Sequence, residues 1–282
     1  MLKEETVHRE DKTSNPQLKA AKMKGVTILA HITIETGSPT LCMNTSIHVV
    51  SSDSGETSGG TLYLLHGAGD NASTWQRLTT IEMYAAQYGC TVIMPEANRS
   101  YYTDMEYGLN YFHYITKELP EICERLLRLN SDPAKTYVAG LSMGGYGALK
   151  CGLTYPEQYS KVVSLSGVTN IQTRLRDPHM PEGMIKEMKA VFGERLQVKA
   201  DQDIYALSAR LLEQGGTLPK ILSCCGDHDP FVEMNREYAE YMQGTAFDFR
   251  YVETPGTHEW RFWEQHLKTM FDFLYNDNTI VE

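Results

Sequence analysis

KTYVAGLSMGGYGALKCGLTY, residues 135–155, is the stretch that decides the fold. Its first part, through Ser142, is an apolar run that reads as a buried strand. Its second part, Met143–Tyr155, reads as a helix stopped before Pro156, because the residue before a proline is pushed out of the helical region. The join is Gly140-Leu141-Ser142-Met143-Gly144, a G-x-S-x-G. At ordinary glycine and serine usage a chance match in a chain this long has odds of roughly one in ten. The context separates it from chance: a strand leads in and a helix leads out. A serine on so tight a turn thrusts its hydroxyl away from the sheet. Side chains two residues to either side would collide, which accounts for Gly140 and Gly144. The helix beginning at Met143 aims backbone N–H groups and its positive dipole end at the same place, so an oxyanion beside Ser142 would be stabilised. The competing reading is a glycine-rich strand–helix turn with an ordinary serine.

Outward from this unit the pattern repeats. TLYLLHG (61–67), CTVIMPE (90–96), KVVSLSG (161–167) and KILSCCGD (220–227) read as buried strands, and FDFRYVE (247–253) as a strand with one solvated face. Helices are predicted over 74–89, 230–244 and 259–276. Phe112, Ile115, Leu119, Ile122, Leu126 and Leu129 recur at alternating steps of three and four, one face of a helix that Pro120 should kink. Strands alternating with helices imply an α/β layer with a mostly parallel sheet. Two β-rich runs, 26–35 and 41–50, precede it, and the Ser/Gly-rich segment 51–60 reads as a hairpin connection or loop. Residues 1–24 are polar and read as a flexible arm, leaving one domain over 25–282. Within it, 168–219 carries two helical patterns, near 182–192 and 202–214, and reads as a lid-like insertion over one end of the sheet.

Composition narrows the function. The 282 residues are 41% hydrophobic and 22% charged, as in an ordinary globular protein. The net charge of −10, with no basic block, speaks against nucleic acid or an anionic membrane as partner. No apolar run is long enough to span a bilayer. The amino terminus has no apolar core for a signal peptide, so the cytoplasm is the expected compartment. The six cysteines form no CxxC pair, and no metal site is expected. A homo-oligomer is compatible with the sequence.

Ligands of open α/β sheets bind at the carboxyl ends of the strands. Reactive residues fall there in HGAGDN (66–71), GLSMG (140–144), GDHDP (226–230) and GTHEW (256–260). A serine needs a base to take its proton, usually histidine. Of nine histidines, His258 lies in a short loop after the last strand, from which an imidazole can reach back to Ser142. The third group should be a carboxylate that orients the imidazole. Asp227 and Asp229 both qualify by position, and Asp229, ahead of Pro230, could equally be a helix cap. The small residues of HGAGDN allow close backbone approach, and Ala68 N–H pairs with Met143 N–H as the candidate oxyanion donors. The same loop also fits G-x-G-x-x-A over Gly67–Ala72, with Glu96 ending the next strand, which outlines a dinucleotide-binding unit and an oxidoreductase.

These segments together resemble the putative-esterase (esterase D-like) family of α/β hydrolases. The resemblance is carried by LYLLHGAGDNASTW (62–75), VIMPEANRSYYTD (92–104), KELP (117–120), AGLSMGGYGALK (139–150), CGDHDPF (225–231) and GTHEWRFWEQHL (256–267). They span about two-thirds of the chain in the family's order. The resemblance implies an α/β-hydrolase fold with Ser142 as nucleophile, Asp229 rather than Asp227 as acid, His258 as base, and Ala68 and Met143 as the oxyanion pair. It implies a serine carboxylesterase that works through an acyl-enzyme and uses no cofactor. GTHEW with Trp263, and the YYTD stretch, look most like the bacterial tributyrin-type esterases of short acyl esters. S-formylglutathione hydrolases usually carry a His-rich segment with a Ser-Tyr-Tyr-Phe run where this chain has HEWRFW. A thioesterase of that type and a feruloyl or acetyl-xylan type of esterase are the alternatives. His66, Trp75, Tyr102 and Trp260 are the candidates for substrate contact, with core packing as the rival explanation for the rings.

Overall fold

The computed structural model describes residues 29–52, 59–129 and 132–276. The arm expected over 1–24 lies outside the described residues. Eight strands, β1 (Leu29–Ser38), β2 (Met43–Ser52), β3 (Thr61–Leu65), β4 (Thr91–Pro95), β5 (Thr136–Leu141), β6 (Lys161–Leu165), β7 (Lys220–Gly226) and β8 (Phe249–Thr254), form one sheet in the order β1-β2-β4-β3-β5-β6-β7-β8. β1 pairs antiparallel with β2, and β2 with β4, while the pairings from β4 to β8 are parallel. This is the mostly parallel sheet that the alternation predicts, with an antiparallel edge. One expectation changes. β2 pairs with β4 rather than with β3, so the two strands on either side of the Ser/Gly-rich stretch do not form a hairpin.

Successive residues of a strand face opposite sides of a sheet, and β3, β4 and β5 are buried on both. On one face Leu62, Leu64, Val92 and Ala139 pack against α1 (Thr74–Leu78), α2 (Ile81–Tyr88), α10 (Trp260–Gln265) and α11 (Leu267–Tyr275). On the other, Tyr63, Leu65, Ile93 and Val138 meet α3 (Tyr111–His113), α4 (Leu119–Leu127), α5 (Met143–Thr154) and α9 (Val232–Gln243). Segment 168–219 forms three helices, α6 (Ile171–Leu175), α7 (Glu182–Phe192) and α8 (Ile204–Gln214). Its apolar residues Val191, Phe192, Leu207 and Leu211 join this second core.

Three helix predictions need correction. The helix over 74–89 is broken at Thr79, which is extended, because Glu264 accepts the N–H and hydroxyl of Thr80 at 3.0 and 2.6 Å and so caps α2 from across the molecule. The closing helix is split at His266, whose Nδ1 bonds Phe262 O at 2.9 Å and whose Nε2 lies 3.1 Å from Thr254 Oγ1. Pro120 does not kink a plain α-helix. Tyr114–Glu118 forms a π turn immediately before it, in which Leu119 N–H reaches Tyr114 O. The widened turn accommodates a residue that has no N–H to donate and whose ring crowds the carbonyl one turn back.

Candidate active site

The site is assembled where β3, β5, β7 and β8 end. Ser142 sits between β5 and α5 with φ 53° and ψ −116°, a strained conformation for a residue with a side chain. Its N–H is held by Leu165 O at 2.8 Å, the next strand's end. The reason for the two flanking glycines is visible. A Cβ on Gly140 would lie 2.3 Å from Gly144 O, and one on Gly144 would lie 2.4 Å from Leu65 O. Backbone touches backbone there, and no side chain fits.

His258 arrives from the loop after β8. Its Nε2 is 2.9 Å from Ser142 Oγ, and its Nδ1 is 2.8 Å from Asp229 Oδ2. A carboxylate only accepts, so Nδ1 carries the proton and Nε2 presents its lone pair to the hydroxyl. The imidazole is 24% exposed while the Asp229 side chain is wholly buried. Water and substrate reach one end of the chain of hydrogen bonds and not the other. Asp229 also takes Phe231 N–H on Oδ1 at 2.8 Å, a turn bond that occupies the other oxygen; it does not cap α9, which begins at Val232 after Phe231 and has no side-chain cap.

The two candidate acids are thereby told apart. Asp227 turns away from His258: its Oδ1 takes Gly256 N–H at 3.0 Å and lies 2.7 Å from His228 Nδ1. The bond to the His228 ring, followed by that from Gly256 N–H, holds its carboxyl below the usual carboxylate range. His228 N–H also donates to Gly256 O at 3.0 Å. Asp227 thus fastens the loop that carries His258. The imidazole is further boxed by the rings of Phe231 and Trp263, each edge-on with its centroid 5.0 Å away. Trp263 is fixed by its Nε1–H on Ser166 Oγ at 3.1 Å.

The loop after β3 lies against the serine. A Cβ on Gly67 would be 3.7 Å from Ser142 Cβ. Among the described residues no backbone oxygen accepts the N–H of Ala68 or of Met143. The dinucleotide reading of this loop fails on its shape. The chain turns twice, Asp70 N–H to Gly67 O and Thr74 N–H to Asn71 O, and α1 begins only at Thr74. Glu96 is spent on the N–H groups of Ala72 and Asn98 at 3.1 and 2.8 Å.

The expected substrate contacts fare differently. His66 is 1% exposed; it takes Ala97 N–H on Nε2 at 3.0 Å and gives Nδ1–H to Gly67 O at 2.8 Å. Trp75 and Tyr102 are fully buried and bonded to Leu65 O and His66 O. These three are scaffold beneath the loop rather than surface offered to a ligand. Tyr101 and Tyr102 are not extended either; both lie in the left-handed region and both point into one core. Trp260 is half-buried between Trp75 and Trp263. Sequence reasoning did not single out Phe231, whose signal was its place in CGDHDPF. Its ring, with its centroid 5.0 Å from that of His258, also lines a groove of about 450 Å³ whose other walls include Arg174, Arg176, Asp177, Pro230 and Met234.

Comparison with known proteins agrees with this architecture. The sequence profile of the family described as "Putative esterase" matches residues 38–274. An acetyl esterase from Caldicellulosiruptor saccharolyticus is 31% identical over 219 residues, covering 76% of this chain and 82% of the relative. The substrate-bound structure of fluorophosphonate-binding serine hydrolase F of Staphylococcus aureus superposes with a TM-score of 0.81 at 30% identity, over 88% of this chain and 99% of that one. An S-formylglutathione hydrolase from the same organism gives 0.78 at 29% identity, over 89% and 100%. Sheet, helices and relatives together define an α/β-hydrolase fold, and the class is that of a carboxylic ester hydrolase acting through a serine. The chain belongs to the putative esterase family. Among the described residues no helix is long and apolar enough to cross a membrane.

Proposed function

We propose that the chain hydrolyses short-chain acyl esters with Ser142 as nucleophile, His258 as base and then acid, Asp229 as the orienting carboxylate, and the N–H groups of Ala68 and Met143 as oxyanion donors. The observation that carries this reading is the unbroken run Ser142 Oγ, His258 Nε2, His258 Nδ1, Asp229 Oδ2, with spacings of 2.9 and 2.8 Å. His258 takes the hydroxyl proton as Ser142 Oγ bonds to the ester carbonyl carbon. The carbonyl oxygen becomes an oxyanion opposite Ala68 and Met143. His258 gives the proton to the departing alkoxide, the C–O bond breaks, and an acyl-serine remains. Water repeats the sequence and releases the acid. Asp229 stays ionised throughout and favours the imidazolium formed in each half. Neither half calls for a metal or an organic cofactor.

Short acyl groups are supported by the likeness to the acetyl esterase. The groove is of ligand size and shares with His258 the ring of Phe231, whose centroid is 5.0 Å from the imidazole, which supports it as the side that takes one part of the ester. A thioester is the second reading, favoured by the likeness to an S-formylglutathione hydrolase. A cytoplasmic setting accords with six free cysteines, five of them buried. The test is intact mass after a fluorophosphonate probe, with p-nitrophenyl esters of rising chain length and S-formylglutathione assayed in parallel. One adduct on Ser142, and turnover lost in Ser142→Ala, are expected. An adduct elsewhere, or full turnover in the variant, would overturn the assignment. Higher kcat/KM on the thioester than on acetate would replace the substrate and keep the site.

A further inference from the structure

Arg99, exposed at the surface beyond β4, touches two things that the sequence keeps far apart. Its Nη1 donates to Ala68 O at 2.7 Å, and its Nε donates to Glu187 Oε2 at 2.7 Å. Ala68 carries a proposed oxyanion donor, and Glu187 lies on α7 of the insertion. A single planar guanidinium therefore spans the oxyanion loop and the insertion. We propose that Arg99 is a positioning residue: it fixes the direction of the Ala68 N–H and makes that direction depend on where α7 sits. This deepens the serine-esterase reading and rests on it.

The physical case has three parts. First, the contact is to the carbonyl of the residue whose N–H matters, so holding one end of Ala68 restrains the other. The methyl of Ala68 packs against the core, but among the described residues its carbonyl takes no hydrogen bond other than that from Arg99. Gly67 N–H bonds Asp70 Oδ2 at 3.2 Å and Asp70 N–H returns to Gly67 O, but on the far side Gly69 has open space around it. Second, a charged donor to a carbonyl is shorter and more directional than a neutral one, and the guanidinium fork holds both partners in one plane. Third, the pair with Glu187 is a poor stability device. Its side chains are 43% and 41% exposed, and such pairs contribute little to the fold. α7 is docked independently of it, by Glu106 N–H to Val191 O at 3.0 Å and Tyr107 N–H to Ala190 O at 2.9 Å, and the segment after it is tied by the Lys199–Glu106 pair at 2.8 Å. What Arg99 adds is the link to the oxyanion loop, which none of those contacts makes.

The consequence is specific to the transition state. An oxyanion donor acts where charge develops, so its misdirection lowers kcat and leaves substrate binding nearly alone. Losing such a donor outright costs about 100- to 1,000-fold in kcat, and misdirecting it should cost less.

The experiment compares Arg99→Met, Arg99→Lys, Glu187→Gln and, as a control, Lys199→Met, which cuts a neighbouring tie of the insertion without touching Ala68. Arg99→Met is expected to lower kcat on p-nitrophenyl acetate by about 10- to 100-fold with KM within about twofold. Affinity for a trifluoromethyl ketone, which forms an oxyanion on the serine, should fall by the same factor. Arg99→Lys should recover part of the loss, Glu187→Gln should lose less than Arg99→Met, and Lys199→Met should match wild type. The melting temperature should move by no more than about 3 °C in any of them. Amide hydrogen exchange over residues 66–71 should quicken in Arg99→Met and Glu187→Gln alone. That measurement reads the strut whatever the chemistry. Unchanged exchange, a loss carried by KM, or equal losses in Arg99→Met and Lys199→Met would each overturn the proposal. A wild type whose Ser142 takes no phosphonate would instead sink the reading beneath it, while normal labelling with unchanged kcat in Arg99→Met sinks only the strut.

Discussion

The middle of the sheet and its antiparallel edge are built to different rules. β3, β4 and β5 bury every residue, with a helical layer on each side. β1 alternates half-buried and exposed residues along nearly its whole length. The candidate site draws on the ends of β3, β5, β7 and β8 and takes nothing from β1 or β2. The difference teaches where chemistry settles in this fold. Parallel strands are joined by helical crossovers that cover both faces, and their carboxyl ends gather on one edge. The backbone there is already packed tightly enough to hold a strained serine in place. The antiparallel edge closes the sheet and is free of that demand.

The comparison is broken most severely by one methyl group in the buried half. In Gly144→Ala the new Cβ would sit 2.4 Å from Leu65 O and 2.7 Å from His66 O, both backbone. No rotamer relieves such an overlap, so α5 must move away from β3. Overpacking of cores costs typically about 1–3 kcal/mol, and a clash between two backbones belongs at the upper end. Denaturant unfolding should show that loss, and kcat on a short ester should fall by about 100-fold or more as Ser142 leaves its alignment. Wild-type stability and rate in this variant would mean that the elbow is looser than its contacts imply.

What was legible in the sequence follows the same division. The strand–turn–helix around Ser142 and the parallel sheet could be read because each rests on local pattern, apolar runs and glycine placement, whereas Asp229 was set above Asp227 by the family resemblance alone. The helix break at Thr79 and Thr80 could not, since the group that caps α2 is Glu264, far along the chain. Nor could the split at His266, which depends on Thr254 from a neighbouring strand. Two of the three aromatic candidates, Trp75 and Tyr102, failed for a related reason. A ring near a motif looks the same whether it lines a pocket or, as Trp75 and Tyr102 do, props the loop from beneath. The role of Asp227 was hidden because two carboxylates two residues apart differ only in which way the folded loop turns them. Arg99 gave no signal at all, being one exposed arginine whose two partners come from distant segments.

A pH measurement sharpens the comparison at intermediate size. Lys150, on α5, is 2% exposed; its ammonium bonds Tyr102 O and Thr103 Oγ1, both at 3.2 Å, and lies 4.1 Å from the Phe112 ring centroid. Burial lowers its pKa to about 8, against the weaker opposing influence of Cys151, Asp201 and Asp104. The folded protein therefore releases this proton more readily than the unfolded chain. Between about pH 8 and the ordinary lysine value the unfolded state binds more protons, so stability rises with pH across that window. Below it both states are charged and the penalty is fully present. The neutral amine keeps two N–H donors for its two acceptors, so the fold loses no bond on deprotonation. Lys150→Met removes the effect. The stability of wild type minus that of the variant, from denaturant unfolding at pH 7 and pH 10, should grow with pH by up to about 3 kcal/mol. A flat difference would mean that water reaches this lysine and that the buried half is less dry than β3–β5 suggest.

The smallest effect is expected from the same substitution made at the antiparallel edge. Gly37 is exposed on β1, opposite Asn44 in the register with β2. A Cβ there meets Asn44 Oδ1 at 3.7 Å, an ordinary contact. Alanine costs the unfolded chain more of its freedom than glycine does, so Gly37→Ala should stabilise, by about 0.4–1 kcal/mol. Activity should match wild type, because no residue of β1 reaches Ser142, His258 or the Ala68 loop. Run beside Gly144→Ala, the pair holds the chemical change constant and varies only the surroundings. Opposite signs of stability change would tie the intolerance at the elbow to backbone contact on the buried side. Equal losses at both positions would show that glycine is needed for some reason common to both, and the division between the middle of the sheet and its edge would not explain it.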